Sequence, residues 1–119
     1  MNLQLMLLVG LVGGGASVIR FLFSLMPGKF PVGILIANTL ASFIGGIASS
    51  GLAIDPTLGL ILVSGLAGGL STFSTFAAQT STLISQKQPK LAWLNVALNF
   101  GTTITAATLG TNLGLALLK

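Results

Sequence analysis

The sequence predicts an all-α membrane protein with four transmembrane helices, the third of them broken, and three observations predict this fold class. Of its 119 residues, 53% are hydrophobic and a further 16 are glycine. The only charges are 5 basic residues and 1 acidic residue, where a soluble domain of this length carries about 30. They leave uncharged runs at 1–19, 30–54, 56–86 and 91–118, each near or above the roughly 20 apolar residues that cross a bilayer.

Short turns separate the four predicted spans. Residues 27–31 contain two prolines, a glycine and a lysine, which neither a helix nor lipid tolerates. Asp55-Pro56 is a helix-start signal, and residues 86–90 form a polar linker. Because Met1 to Ile19 carries no early Lys or Arg, we read it as a retained span and not as a signal peptide. The expected spans, within a single domain of residues 1–119, are Leu3–Leu25, Val32–Leu52, Thr57–Ile84 and Ala92–Leu118.

The composition excludes several classes of function. The absence of Cys and His removes thiol chemistry, disulfides and the commoner transition-metal sites. Asp55 is the sole acid, so paired-carboxylate catalysis is excluded and we expect no enzyme. The net charge of +4 arises from basic residues that stand singly in loops, as neighbours of lipid headgroups do. We therefore expect membrane lipid as a partner, and not nucleic acid.

The third region is too long for one untilted helix. Residues 65–76 contain two adjacent glycines, which lower helix propensity by about 1 kcal/mol each, followed by hydroxyl side chains that compete for backbone hydrogen bonds. A helix break is expected here, and backbone groups freed at membrane depth must face protein, water or an ion. The alternative is a helix–helix contact made through small residues.

Glycines four residues apart predict close helix packing at three places, Gly10/Gly14, Gly65/Gly69 and Gly110/Gly114. Four short helices can barely enclose a polar path by themselves, so a homodimer is expected at minimum. Positive-inside counting favours termini outside the cell. The bias is small, and insertion in both orientations stays open.

Uncharged hydrogen-bonding side chains stand in the middle of the spans. Asn38 lies in the second helix, and Asn95, Asn99 and Thr103 follow one another on one face of the fourth. A buried amide without a partner costs about 1 to 3 kcal/mol, so these groups must bond one another, water or a passing solute. Two interpretations stay open: interhelical hydrogen bonding, or a polar path.

Amide and hydroxyl donors can replace the hydration shell of an anion without trapping it as a fixed charge would. Phe73 and Phe76 could present their positive ring edges to the same anion, although two Phe at helical spacing commonly serve packing or face lipid. Arg20 either reaches to the interface or forms a positive mouth that concentrates anions.

These residues carry a resemblance to the Fluc, or CrcB-type, fluoride channels of microbial membranes, over essentially the whole chain. Residues 65–76, GLAGGLSTFSTF, resemble the family signature G-x-x-G-G-x-T-T-F-S-T-F. Residues 13–20, GGGASVIR, are similar to its glycine-rich stretch ending in Arg. Residues 33–46 are similar to its G-T-x-x-x-N-x-x-G-x-F-x-x-G segment, with Asn38 at the Asn.

The resemblance implies an antiparallel, dual-topology dimer in the cell membrane, with two fluoride pores that both subunits line. It implies that backbone carbonyls of Gly68 and Ser71 hold a structural sodium ion on the dimer axis, and that Arg20 stands by a vestibule. Ser74 and Thr75 would offer hydroxyls at the break or toward the pore. The implied pore residues also include Asn38, Phe73, Phe76, Asn95, Asn99 and Thr103.

Four positions depart from the family pattern. Ile34 stands in place of a Thr, Ala41 of a Gly and Ser71 of a Thr, and Gln79 stands where many relatives carry Glu. The Ser71 change leaves the sodium prediction intact because the implied ligand is a main-chain carbonyl. The amide at Gln79 can still hydrogen-bond, but any vestibule or gating role of a charge there is lost.

The function expected is passive fluoride export from the cytosol. A small dual-topology multidrug exporter also has four spans, but it needs a carboxylate inside the membrane, and Asp55 lies in a turn. A non-transporting assembly subunit would use the same amides and glycines for contacts alone. An oppositely oriented paralogue is the alternative to an identical partner.

Overall fold

The computed structural model describes residues 2–51 and 55–118, and every regular element there is helical. A π-helical segment, Ile61–Ala67, lies inside the third region, and residues 71 and 72 interrupt the helix further along that region. The α-helices are α1 (Leu3–Ser24), α2 (Val32–Gly51), α3 (Pro56–Leu60), α4 (Gly68–Leu70), α5 (Phe73–Ser85) and α6 (Pro89–Leu117).

Three helical stretches among the described residues are long and apolar enough to cross a membrane. They are Leu3–Ser24, Val32–Ser50 and Pro56–Ser85, with mean hydropathies of 2.0, 1.7 and 1.6. Helix α6 has 29 residues and is about 44 Å long, which is ample for a span. Its asparagines and threonines make it less apolar than the other three, so its crossing of the membrane stays a prediction.

The helix boundaries follow from capping residues near the predicted positions. The Asn2 side chain accepts a hydrogen bond from the Leu5 amide at 2.9 Å and starts α1. The Asp55 carboxylate accepts from the amides of Thr57 and Leu58, each at 3.0 Å, and Pro56 occupies the first turn of α3. The predicted helix start at Asp55-Pro56 is confirmed. The predicted end of the second span at Leu52 lies outside the described residues.

The third region is broken within residues 65–76, but the two glycines are not the point of the break. Gly68 has helical dihedral angles, φ −63° and ψ −39°. The chain becomes extended at Ser71, with ψ 153°, and at Thr72, with φ −154° and ψ 124°. Gly69 instead allows close packing, because a Cβ at this position would collide with the Gly13 carbonyl of α1.

Two helix pairs build the protomer. Helix α1 packs along the π-helical segment and α4, while α2 and α6 form the most extensive pair. A Cβ at Gly46 of α2 or at Gly110 of α6 would collide with backbone of the other helix, so glycine permits this approach. Of the three predicted glycine pairs, two pack inside the protomer. A Cβ added at Gly10 or Gly14 would meet open space.

The surface is apolar, as lipid requires. Large hydrophobic side chains are exposed on every long helix, including Leu11 of α1 at 75% and Trp93 of α6 at 74%. The core is small and built largely of alanines, with Ala37 fully buried where α1, α2 and α4 meet. A protomer of this kind hides little of its hydrophobic surface by folding, which is typical of a protein whose solvent is the bilayer.

Candidate functional site

The helix break is held by the side chain of Asn38. Its amide oxygen accepts from the Thr72 amide at 2.7 Å, and its amide nitrogen donates to the Thr72 carbonyl at 3.1 Å. Thr72 is the extended N-cap of α5, so its amide has no partner within a helix. Asn38 stands about two turns into α2 and supplies a partner for both groups. The freed backbone at the break is therefore satisfied by protein, as membrane depth requires.

A chain of hydrogen bonds runs from Asn38 into α6 and on to α5. The Asn38 amide nitrogen donates to Oδ1 of Asn99 at 3.1 Å, and Asn99 donates to Oδ1 of Asn95 at 2.9 Å. Asn95 donates to the Thr80 hydroxyl at 2.9 Å, and Thr80 donates to the Phe76 carbonyl at 2.8 Å. This relay joins three helices and orients the asparagine amides.

The predicted stripe on α6 thus divides into two parts. Asn95 is only 1% exposed and lies beneath the surface, bonded to Asn99 and Thr80. Asn99 and Thr103 reach a surface depression, with Asn99 6% exposed. Helix periodicity places all three on one face, but the packing of α5 covers the first of them. In this protomer, Asn95 therefore forms a hydrogen bond between α6 and α5.

A depression of about 240 Å³ lies between α2, the break, the start of α5 and α6, and we call it the polar groove. It brings together five of the residues that the sequence singled out for the pore: Asn38, Phe73, Phe76, Asn99 and Thr103. It opens to the protomer surface, since Phe73 is 72% and Phe100 is 52% exposed. The remaining wall residues are Ser42, Ser71, Thr72 and Phe100.

Three phenylalanine rings form one side of the polar groove. Phe76 is 7% exposed and meets Phe100 edge to face, with ring centroids 6.1 Å apart and an interplanar angle of 87°. Phe73 is tilted against Phe76 at 5.6 Å. Sequence reasoning missed Phe100, because an aromatic next to Asn99 on an apolar helix carries no distinguishing signal. Packing against Phe100 fixes the orientation of the Phe76 ring.

Ser74 and Thr75 belong to the cap of α5. The Thr72 hydroxyl accepts from the Thr75 amide at 3.2 Å and caps the helix. It also donates to the Thr75 hydroxyl at 3.1 Å and lies 3.3 Å from the Ser74 hydroxyl. Neither Ser74 nor Thr75 is among the residues that line the polar groove. In the protomer, their contacts with Thr72 stabilise the start of α5, where the break ends.

Side chains of α1 cover the carbonyls at the end of α4. Ser17 donates to the Gly69 carbonyl at 3.2 Å, and the Arg20 guanidinium donates to the Ser71 carbonyl at 3.3 Å. A carbonyl has two lone pairs, so Ser71 keeps one acceptor direction. Main-chain oxygens are hard ligands that suit a sodium ion, and in this respect Gly68 and Ser71 fit one. Two carbonyls are an incomplete shell, so the remaining ligands must come from elsewhere.

A second depression, of about 410 Å³, lies where the α1–α2 turn meets α5. Its wall includes Lys29, Gln79, Thr82 and Gln86. The Gln79 side-chain oxygen is buried and has no hydrogen-bond partner within residues 2–51 and 55–118. Burial without a partner is unfavourable for an amide, and this depression is where water can satisfy it.

Comparison with known proteins agrees with these features. Residues 7–111 match the family described as CrcB-like protein, Camphor Resistance (CrcB). The chain is 38% identical over 117 residues to a fluoride-specific ion channel FluC of Pyrococcus horikoshii, covering 92% of this chain and 95% of that protein. A protein of the same name from Cronobacter sakazakii is 41% identical over 117 residues, covering 88% and 90%.

A third relative of that name, from Escherichia coli K12, is 38% identical over 105 residues, covering 82% of this chain and 83% of its own. The matches span the apolar helices and the break alike. The expected family and the expected membrane location are confirmed. The chain belongs to the CrcB-like family and is a multi-pass protein of the cell membrane.

Proposed function

We propose that this chain forms a passive, fluoride-selective ion channel that lets fluoride leave the cytoplasm. The observation that carries the proposal is the polar groove, which gathers amides, hydroxyls and phenylalanine rings at a helix break in an otherwise apolar protein. Its relatives bear the name fluoride-specific ion channel. No proton coupling is part of the proposal, because the single acid, Asp55, caps α3 outside the groove.

Permeation requires that the protein replace the water around the ion without binding it tightly. None of the nine wall residues within 2–51 and 55–118 carries an ionised side chain, so the ion meets neutral dipoles and the positive edges of rings there. Each contact is weak, and several in sequence let an anion enter and leave. A narrow path of short hydroxyls favours a small anion over chloride, because a larger ion contacts fewer donors at once.

Arg20 and Lys29 are basic residues that lie beside the two depressions. Arg20 binds the Ser71 carbonyl beside the polar groove, while Lys29 stands on the second depression. Positive charge at the mouth of a low-dielectric path raises the local concentration of anions. We assign both residues to vestibules, where they attract fluoride without holding it inside the path.

The groove is open along its length, so a second protein surface must close it. We propose an antiparallel dimer of identical subunits, in which each protomer contributes one groove and the partner covers it, giving two pores. Exposed Phe73 and Phe100 are the edges that the partner would cover. A closed two-fold dimer also completes an ion site on its axis with the same groups from both copies.

A structural sodium ion is assigned to the carbonyls of Gly68 and Ser71 at the break, where it would supply positive charge to hold two breaks together. Ser17 donates to the neighbouring Gly69 carbonyl, and Arg20 donates to the Ser71 carbonyl itself, whose second lone pair stays available to the ion. The contribution of this chain is the extended backbone at Ser71 and Thr72, which turns carbonyls out of the helix. Helix α1 packs against α4 and fixes that direction.

The direct test uses liposomes that contain only this polypeptide and are loaded with fluoride or with chloride. We expect fluoride to leave once a potassium ionophore dissipates the voltage, with no dependence on a proton gradient and with far slower loss of chloride. Flux that requires a proton gradient would point to an antiporter. Absence of flux from assembled protein would point to an assembly subunit or to a missing paralogue, and co-reconstitution with a paralogue separates those two.

A further inference from the structure

The amide donors of the polar groove are already engaged in the protomer. The two N–H groups of Asn38 face two acceptors, the Thr72 carbonyl and Oδ1 of Asn99. The Asn99 nitrogen donates to the main-chain and side-chain oxygens of Asn95, at 3.0 and 2.9 Å. The Thr103 hydroxyl donates to the Asn99 carbonyl. An anion that used these donors would first have to break bonds that hold the helix break.

Ser42 is different. It lies one helical turn after Asn38 on the same face of α2, is half-buried, and lines the polar groove. Among residues 2–51 and 55–118, its hydroxyl has no hydrogen-bond partner, and its oxygen is not sealed from the groove. A hydroxyl hydrogen rotates freely toward whatever acceptor arrives.

The other hydroxyl side chains of α2 differ from Ser42 because each donates a hydrogen bond to a carbonyl of its own helix. Thr39 donates to the Leu35 carbonyl at 2.7 Å, Ser49 to Gly46 at 2.9 Å and Ser50 to Ile47 at 2.7 Å. Such bonds back to the preceding turn are the usual way for a helix in lipid to satisfy a hydroxyl. Ser42 is the one whose donor points to the groove and stays available.

We infer that the Ser42 hydroxyl is a direct fluoride-contacting donor of the pore, available to the ion while the Asn38 amide holds the break. The inference rests on the proposed function and deepens it by naming one hydroxyl of the groove that contacts the ion. Bonding to Ser42 requires no rupture of an existing protein hydrogen bond. It therefore leaves the Asn38 clamp on Thr72 intact during permeation.

The test compares Ser42→Ala with Ser49→Ala in fluoride-loaded liposomes. Both remove one hydroxyl from α2, but Ser49 is exposed and bonded within its own helix. We expect Ser42→Ala to slow fluoride efflux about tenfold, the equivalent of one hydrogen bond to a charged group, and Ser49→Ala to leave it unchanged. Equal flux in the two variants would overturn the inference and leave the channel proposal standing. Absence of fluoride flux through the wild-type protein would contradict both the Ser42 inference and the channel proposal.

A second readout does not depend on the alanine variant folding. The sequence has no cysteine, so Ser42→Cys introduces a single thiol of nearly the same volume. A small water-soluble thiol reagent should modify it and block flux, and fluoride should slow the modification. In Ser49→Cys, reaction should leave flux unaffected. A Ser42→Cys protein that conducts and resists both modification and block would contradict direct contact with the ion.

Discussion

The Asn38 side chain satisfies two backbone groups and one side chain at once, which explains why an amide stands in the middle of an apolar helix. An amide carries one acceptor and two donors in a fixed plane, and Thr72 presents an N–H and a C=O to match. The sequence predicted a polar group here but left open whether it bonds protein or ion. Whether Asn38 bonds protein or ion depends on where the break lies relative to α2. The pattern of residues within one helix does not predict that position.

Asn38→Ala should weaken the fold as well as the flux. The substitution leaves the Thr72 amide and carbonyl and Oδ1 of Asn99 without that partner, at a cost of about 1–3 kcal/mol for each group left unsatisfied. We expect a lower melting temperature in detergent and slower fluoride efflux. Asn112→Ala is the matched control, since Asn112 is an exposed asparagine of α6. Unchanged stability of Asn38→Ala would show that the clamp contributes little.

Phe76→Ile tests the aromatic wall. The branched side chain keeps the apolar character but removes the ring edge and its edge-to-face contact with Phe100. We expect efflux to fall at least tenfold while the dimer stays assembled in size-exclusion chromatography. Phe21→Ile, at an exposed phenylalanine of α1, serves as the control and should conduct normally. Full flux in Phe76→Ile would remove the ring-edge role.

At the scale of the elements, the broken third region depends on a cap and not on glycine flexibility. The predicted break is confirmed in place. The prediction gave two causes, the low helix propensity of Gly68 and Gly69 and the competition of the following hydroxyls for backbone hydrogen bonds, and the structure supports the second at Thr72. Both glycines are helical, and Gly69 serves close packing against α1. Composition cannot separate the two uses, since both need a residue without a side chain. The extended residues are Ser71 and Thr72, where α5 is capped anew.

Thr72→Val should destabilise the start of α5. Valine matches the shape of threonine but cannot accept from the Thr75 amide, and loss of such a cap costs about 0.5–2 kcal/mol. We expect a lower melting temperature, measured by thermal aggregation in detergent, together with reduced flux. Thr72→Ser retains the hydroxyl and should behave as wild type. Equal behaviour of the two variants would mean that the cap is dispensable.

The α2–α6 pair depends on glycines at the points of contact. A Cβ at Gly110 would collide with the backbone of α2, whereas one at Gly101 would meet nothing within 4 Å in the protomer. Gly110→Ala should therefore force the helices apart and cost about 1–3 kcal/mol, seen as a lower melting temperature. Gly101→Ala should be neutral or slightly stabilising, because alanine favours the helix. The reverse order would contradict the observed packing.

At the scale of the whole molecule, the polar groove lies open on the surface of a single chain, and the proposed pore needs a second copy to close it. Sequence reasoning predicted the helix boundaries well, because Asp55-Pro56, the 27–31 turn and the charge-free runs are local signals. It also predicted five wall residues of the groove. It missed Ser42, Thr72, Thr80 and Phe100, whose roles arise from contacts between helices distant in the sequence. For Asn95, the sequence predicted its place in the polar stripe of α6 but did not predict that α5 would bury it.

An antiparallel dimer predicts two orientations of one sequence in the same membrane. Because the chain has no cysteine, Gln88→Cys places a single thiol in the turn before α6. A membrane-impermeant thiol reagent added to sealed vesicles should label about half of the protein, because a two-fold antiparallel pair exposes one copy on each side. Permeabilisation of the vesicles should then allow the reagent to label the remaining half. Complete labelling, or none, from one side would contradict the dual-topology dimer and favour a paralogue as partner.

Fluoride efflux from liposomes that hold only this polypeptide tests the central claim most directly. That claim is that neutral donors and ring edges in the polar groove, closed by a second copy, conduct a small anion. The account predicts rapid, proton-independent loss of fluoride with chloride retained, and its near-abolition by Phe76→Ile in a dimer that remains assembled. Properly assembled wild-type dimer that loses fluoride no faster than empty liposomes would contradict it.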